Sequence, residues 1–133
     1  MKRRLMLLGT TVLLALLLAS PGSAQAYPGY AGYSAYTPVD SAIDAAGLPP
    51  VFHSIAERES GDNPYAVNPY SGACGPFQFL PSTAYGMNYV PTSSRYMRGG
   101  YTCAELTDPY VAAQAALELY RYMGLSPWSL TAY

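Results

Sequence analysis

Beyond Lys2 the chain contains no lysine, and after residue 26 its basic groups are Arg58, Arg95, Arg98 and Arg121 alone. Eight carboxylates oppose these four arginines, a net charge of about −4 for that part of the chain. Four scattered arginines make no basic face to neutralise phosphates, which excludes nucleic acid as a partner. Histidine is limited to His53 and cysteine to Cys74 and Cys103, too few ligands to complete a four-coordinate metal site. No metal is expected. Long apolar runs are also missing: the one over residues 5–18 is interrupted by Gly9, Thr10 and Thr11 and falls short of the roughly 20 residues that cross a bilayer.

That short run is informative for another reason. Lys2, Arg3 and Arg4 precede it and Ala24-Gln25-Ala26 follow it, the pattern of a signal peptide over residues 1–26 that is cleaved near Tyr27. An uncleaved anchor is the less favoured reading, and no cysteine follows closely enough to carry a lipid. The expected destination is extracytoplasmic, with no stable membrane insertion after cleavage. An oxidising compartment lets a cysteine pair persist, so one bridge between Cys74 and Cys103 is expected. Its chain-entropy contribution is roughly 3 to 4 kcal/mol.

Residues 27–38 read YPGYAGYSAYTP, with tyrosine at 27, 30, 33 and 36 and only small residues or proline between. Such a tract cannot build a core and reads as a linker. A domain over 39–133 follows, about 95 residues, enough for one small core. Asp40 is placed to cap a first helix that runs to Ala46 and stops at Gly47. Pro50 opens a second, VFHSIAERES, ended by Gly61 and Asn63-Pro64. Phe52, Ile55, Ala56 and Glu59 share one side of it, whereas His53 and Glu57 fall on a face that water reaches. Residues 68–79 are turn-rich and read as loops with at most a small hairpin. Pro81-Ser82-Thr83 starts a short helix ended by Gly86, and residues 88–101 read as a surface loop. Thr102 and Glu105 have capping-box spacing, Asp108-Pro109 is a second start, and a helix follows over 109–123 with Gly124 as its stop. Its apolar face holds Val111, Ala112, Ala115, Leu119 and Tyr122, and its polar face Gln114, Glu118 and Arg121. The expected fold class is mainly α, with a small α+β arrangement as the alternative.

Glu59 is a carboxylate that extends an apolar stripe into the last turn of its helix. The core side solvates charge poorly there, and the helix C-terminus is the negative end of the dipole, so both effects favour the protonated acid. That is the form a general acid needs to protonate a glycosidic oxygen. An ordinary helix-end glutamate turned to solvent fits the same pattern, so the stripe alone leaves both readings open. More specific is the order of two blocks. Glu59-Ser60-Gly61 with Asn63-Pro64, Ala66 and Asn68 is followed by Gly72, Gly75-Pro76-Phe77-Gln78-Phe79 and Pro81-Ser82-Thr83-Ala84. Together they resemble the transglycosylase SLT and resuscitation-promoting-factor group of lysozyme-like enzymes. The blocks lie within residues 50–86, and the tail over 108–128 is more loosely similar to short actinobacterial-type members.

The resemblance implies a lysozyme-like domain, without cofactor, that cleaves the bond from N-acetylmuramic acid to N-acetylglucosamine in peptidoglycan. By it Glu59 is the acid/base, Ser60 helps to hold its orientation, and Gln78 lines the sugar-binding cleft. Trp128 either stacks on a sugar ring or packs the closing segment over the last helix, and Phe77 and Phe79 suit a core. Larger members carry a later Ala-Tyr-Asn segment whose tyrosine sits near the glutamate. This chain lacks it, leaving Tyr85, Tyr89, Tyr120 and Tyr122 as candidate substitutes. Asp62 is the nearby second carboxylate, in a turn context where aspartate is commonly structural. A single carboxylate fits chemistry assisted by the sugar's own N-acetyl group, giving anhydro-muramic acid ends, whereas hydrolysis normally uses two. The competing readings are a muramidase that hydrolyses the same bond, a non-catalytic wall-binding module, and a secreted surface protein acting through its tyrosine tract. The expected partners are glycan strands, in the cell wall or periplasm.

Overall fold

A computed structural model describes residues 35–132. The signal peptide expected over residues 1–26 and most of the expected linker lie outside the described residues. Among the described residues four helices, α1 (Pro38–Ala46), α2 (Val51–Ser60), α3 (Pro81–Gly86) and α4 (Pro109–Met123), are joined by loops that contain 3-10 turns at Met87–Tyr89, Glu105–Thr107 and Ser126–Trp128. Strand-like pairing among the described residues is limited to isolated antiparallel bridges of Cys74 with Val67 and with Phe79. The expectation of a mainly α domain with one disulfide therefore holds, and the small hairpin reduces to these bridges. No helix among the described residues is long and apolar enough to cross a membrane.

Proline and glycine set most of the helix boundaries. Pro38 occupies the first helical position of α1, where its fixed φ and missing N–H suit the turn. Thr37 is the cap: its Oγ1 accepts from Asp40 N at 3.1 Å, and Asp40 Oδ2 accepts from Thr37 N at 2.7 Å. Asp40 is thus the third residue of a capping box and not the cap that the sequence suggested, and the helix begins inside the stretch read as linker. Gly47 and Gly61 end α1 and α2 with φ of 71° and 64°. Asp108 caps α4 by accepting from the N–H groups of Tyr110 and Val111.

Helix α1 packs along α4 and touches α2. Ala112, Ala113, Ala115 and Ala116 line the buried side of α4, small enough to let Val39, Ala42 and Ile43 of α1 close in. Phe52 of α2 is fully buried at the centre, edge-on to Phe77, Tyr120 and Trp128 at centroid distances of 5.9, 5.6 and 5.0 Å. The disulfide joins Cys74 to Cys103 with Cα atoms 5.8 Å apart, tying the bridged turn to the segment that leads into α4.

Two assignments on α4 reverse. Tyr122, set on the apolar face by spacing, is 55% exposed, and Glu118, set on the polar face, is 2% exposed. The loop after α3 is the cause. It lies over α4 and brings Ser93 Oγ and Tyr101 Oη to Glu118 Oε2 at 3.1 and 2.9 Å, while Gln114 Nε2 donates to Oε1 at 3.0 Å. Burial pushes the Glu118 carboxyl up, but hydrogen bonds from Gln114, Ser94 and Tyr101 outweigh it and hold it below the usual range. Residues 88–101 are accordingly the surface loop expected, with Tyr89, Tyr96 and Met97 exposed, but one anchored on α4 through the buried Val90, Ser93, Gly100 and Tyr101.

Candidate active site

The last turn of α2 delivers Glu59 to the wall of a cleft of about 280 Å³. Phe52, Ile55 and Ala56 are fully buried, so the stripe they define carries the partly buried Glu59 to the border between core and solvent. The turn over 68–73 forms one rim. Asn68 Oδ1 accepts from Tyr70 N and Ser71 N at 2.9 and 3.1 Å, which fixes the turn from inside. Phe77, Gln78, Phe79 and Leu80 form the floor, Thr83 of α3 and Leu119 of α4 add to it, and Pro127 and Trp128 close one end. Glu59 is the one ionisable side chain among the lining residues described.

Ser60 does not line this cleft. Its hydroxyl lies 3.0 Å from both the Ala56 carbonyl, one turn back, and the Pro76 carbonyl, and so pins the end of α2 against the turn that carries Gln78. Gln78 does line the cleft, with a positive φ of 49° that a non-glycine residue rarely adopts. Its Nε2 donates to the carbonyls of Gly75 and Ala66 at 3.0 and 3.3 Å, so the amide that faces the cleft also ties down its own loop. Trp128 is 4% exposed, its Nε1 donates to the Phe77 carbonyl at 3.1 Å, and its ring packs edge-on to Phe52 and Phe79. Of the two roles open to it, packing is the one this burial fits. Phe77 and Phe79 are likewise buried.

None of Tyr85, Tyr89, Tyr120 or Tyr122 lines the cleft. Tyr85 and Tyr89 are exposed and contact each other, Tyr120 packs on Phe52, and Tyr122 faces solvent. The polar contact to Glu59 comes from Thr131, whose hydroxyl donates to Glu59 Oε1 at 2.7 Å. Thr131 carries no local sequence signal, since it lies outside every periodic segment. Asn68 and Thr83 stood in the quoted blocks without a role and prove to be lining residues. Asp62 does not line the cleft. Its Oδ1 is buried without a hydrogen-bond partner, and burial together with the charges of Asp40 and Glu57 pushes its carboxyl up.

His53 proves to be more than a wetted surface residue. Its Nδ1 lies 2.6 Å from Asp40 Oδ1 and its Nε2 3.1 Å from Asp44 Oδ1, so it staples α2 to α1 on a face away from the cleft lining. Asp44 also accepts from the Tyr36 hydroxyl, which that bond pushes up to about 12.

The family model for the Transglycosylase SLT domain matches residues 40–125. The chain is 41% identical over 75 residues to "Probable transglycosylase SceD 3" and to "Probable transglycosylase SceD 1" of Staphylococcus saprophyticus, which covers 56% of this chain and 29% of each relative. It is 69% identical over 29 residues to "Probable transglycosylase SceD" of Staphylococcus aureus strain Newman, covering 22% of this chain and 13% of that protein. The chain thus spans less than a third of the length of these relatives.

Proposed function

Because the chain belongs to the transglycosylase SLT family, we propose that it is an exported lytic transglycosylase that cleaves the N-acetylmuramic acid to N-acetylglucosamine bond of peptidoglycan, with Glu59 as acid and then base. The observation that carries this reading is Glu59, the one ionisable group among the described lining residues of the cleft, held at the end of a buried stripe and in contact with a hydroxyl donor. In its acid form Glu59 gives a proton to the glycosidic oxygen as the bond to the muramic acid anomeric carbon breaks. The sugar's N-acetyl carbonyl supports the positive charge that develops at that carbon. Glu59, now a carboxylate, takes the proton of the muramic acid's primary hydroxyl while that oxygen bonds to the anomeric carbon. The ring closes to an anhydro end and Glu59 regains its proton, so the reaction consumes no water.

A second carboxylate is the usual requirement for hydrolysis, either to activate water or to form a covalent intermediate. Neither Glu57 nor Asp62, the two carboxylates beside Glu59 in sequence, is a lining residue, which favours ring closure over the muramidase reading. Export is supported by the basic start, the short apolar run and the small-residue site at Ala24-Gln25-Ala26. The cysteine pair suits an oxidising compartment.

Glu59→Gln keeps the shape of the side chain and removes its proton, so solubilisation of isolated peptidoglycan should fall about 10²- to 10⁴-fold with the fold retained by circular dichroism. Glu57→Gln, on the exposed side of the same turn, should stay within about twofold of the parent, as surface changes of this kind generally do. Equal losses in two folded variants would contradict the assignment of Glu59. Full activity of Glu59→Gln would overturn the reading itself.

A further inference from the structure

Resting on that assignment of Glu59, we propose that Thr131 is a positioning residue that selects which oxygen of Glu59 handles the proton. The Thr131 hydroxyl has one proton to give. It stands 2.7 Å from Glu59 Oε1 and 3.3 Å from the Trp128 carbonyl, so the closer carboxylate oxygen takes it. In a carboxylic acid the carbonyl oxygen accepts a hydrogen bond more strongly than the hydroxyl oxygen, so accepting from Thr131 makes Oε1 the carbonyl oxygen of the acid. The proton therefore sits on Oε2. The same bond persists when Glu59 is a carboxylate, leaving Oε2 free to collect the proton that the attacking hydroxyl releases. One fixed donor thus serves both halves of the reaction by keeping one oxygen out of the chemistry and the side chain in one rotamer.

Thr131 can do this because its own backbone is tied on both sides. Its N–H donates to the Trp128 carbonyl at 3.0 Å, and its carbonyl accepts from Arg58 Nη1 at 3.1 Å. Arg58 precedes Glu59 on α2, and Trp128 is anchored to the Phe77 carbonyl in the cleft floor. The segment that carries the hydroxyl is thereby fastened to the helix that carries the acid and to the floor beneath it. Thr131 itself does not line the cleft, so it acts through Glu59 and not on the sugar.

The test compares Thr131→Val, which keeps the shape and loses the hydroxyl, with Thr131→Ser, which keeps the hydroxyl. Turnover is measured on soluble glycan chains of defined length, alongside Glu59→Gln. Thr131→Val should lose about 10- to 100-fold in kcat with KM within about twofold, the scale expected for a misplaced catalytic group. Thr131→Ser should recover to within about threefold of the parent. Thr131→Ala replaces valine in the comparison if the valine variant does not fold. Parent-like kcat in Thr131→Val beside an inactive Glu59→Gln overturns the positioning role and leaves Glu59 as assigned. Equal loss in the serine variant, or a raised KM at unchanged kcat, also overturns it. An active Glu59→Gln removes the function reading first and this inference with it.

Discussion

Gly75 bends the chain with a φ of +76°, and a Cβ placed there would lie 2.4 Å from the Leu106 carbonyl oxygen. Neither the backbone angle nor a backbone neighbour gives way easily, so Gly75→Ala should cost at least about 2 kcal/mol. Urea denaturation of the variant measures this, and an unchanged midpoint would show that the turn accommodates the methyl group. The same turn lifts Gln78 into its positive φ, an uncommon conformation that the two bonds from its amide stabilise. At this scale the sequence was readable where chemistry and local pattern coincide. Glu59 continues a helical stripe, and Gly75 and Gln78 stand in a glycine-proline turn. It was unreadable where a contact spans the chain: Thr131 meets Glu59 across 72 positions, and no periodicity links them. The resemblance implied that Ser60 helps to hold the orientation of Glu59, whereas its bond to the Pro76 carbonyl needed the fold.

Helices α1 and α2 are joined by a titratable staple, and its pH dependence follows from the directions of the shifts. Burial draws the His53 imidazole down, yet the bonds to Asp40 and Asp44 outweigh it and hold it above its ordinary value. Burial likewise pushes the Asp40 carboxyl up, but donors from Thr37 and His53 hold it below its ordinary value. A raised histidine contributes stability that is fully present below its unfolded value, about 6.5, and is lost as pH rises through the folded value. A lowered aspartate contributes above about 3.9 and loses that contribution as pH falls through its folded value. The staple is therefore fully in place between about pH 4 and 6.5. His53→Gln should cost about 1 kcal/mol near pH 5.5, modest because the pair is partly solvated, and less near pH 8.5. Denaturant titrations of both proteins at the two pH values check this, and a cost that stays constant or grows with pH would contradict it. Among the described elements, proline starts made α2, α3 and α4 legible and glycine stops ended each helix, whereas the start of α1 was read at Asp40 and lies at Thr37-Pro38. The surface loop over 88–101 was legible from its composition, but its anchoring on α4 was not, because the polarity of Glu118 resembles any exposed face. Only the meeting of Ser93, Tyr101 and Gln114 around that carboxylate makes its burial tolerable.

Across the whole molecule, the disulfide joins residues 29 apart and ties the bridged turn of the cleft floor to the segment before α4. Reduction should therefore remove roughly 3 to 4 kcal/mol, a large share of the stability of a domain this small. Urea midpoints with and without reductant measure it, and coincident curves would mean that the unfolded chain gains nothing from opening the loop. The mainly α class and the bridge were legible from spacing and cysteine usage. The cleft as a space was not, because its walls come from α2, the turn over 68–73, α3, α4 and the segment around Trp128, which only tertiary packing brings together. Among its described lining residues Glu59 is the one ionisable group, and on it rests the proposal that the chain closes a sugar ring instead of adding water. Mass spectrometry of the soluble fragments released from isolated peptidoglycan tests the claim most directly. Ring closure leaves each cut end lighter by one water than hydrolysis would, so muramic acid ends of that lighter mass are expected, absent from digests by Glu59→Gln. Fragments that uniformly carry the added water would contradict it.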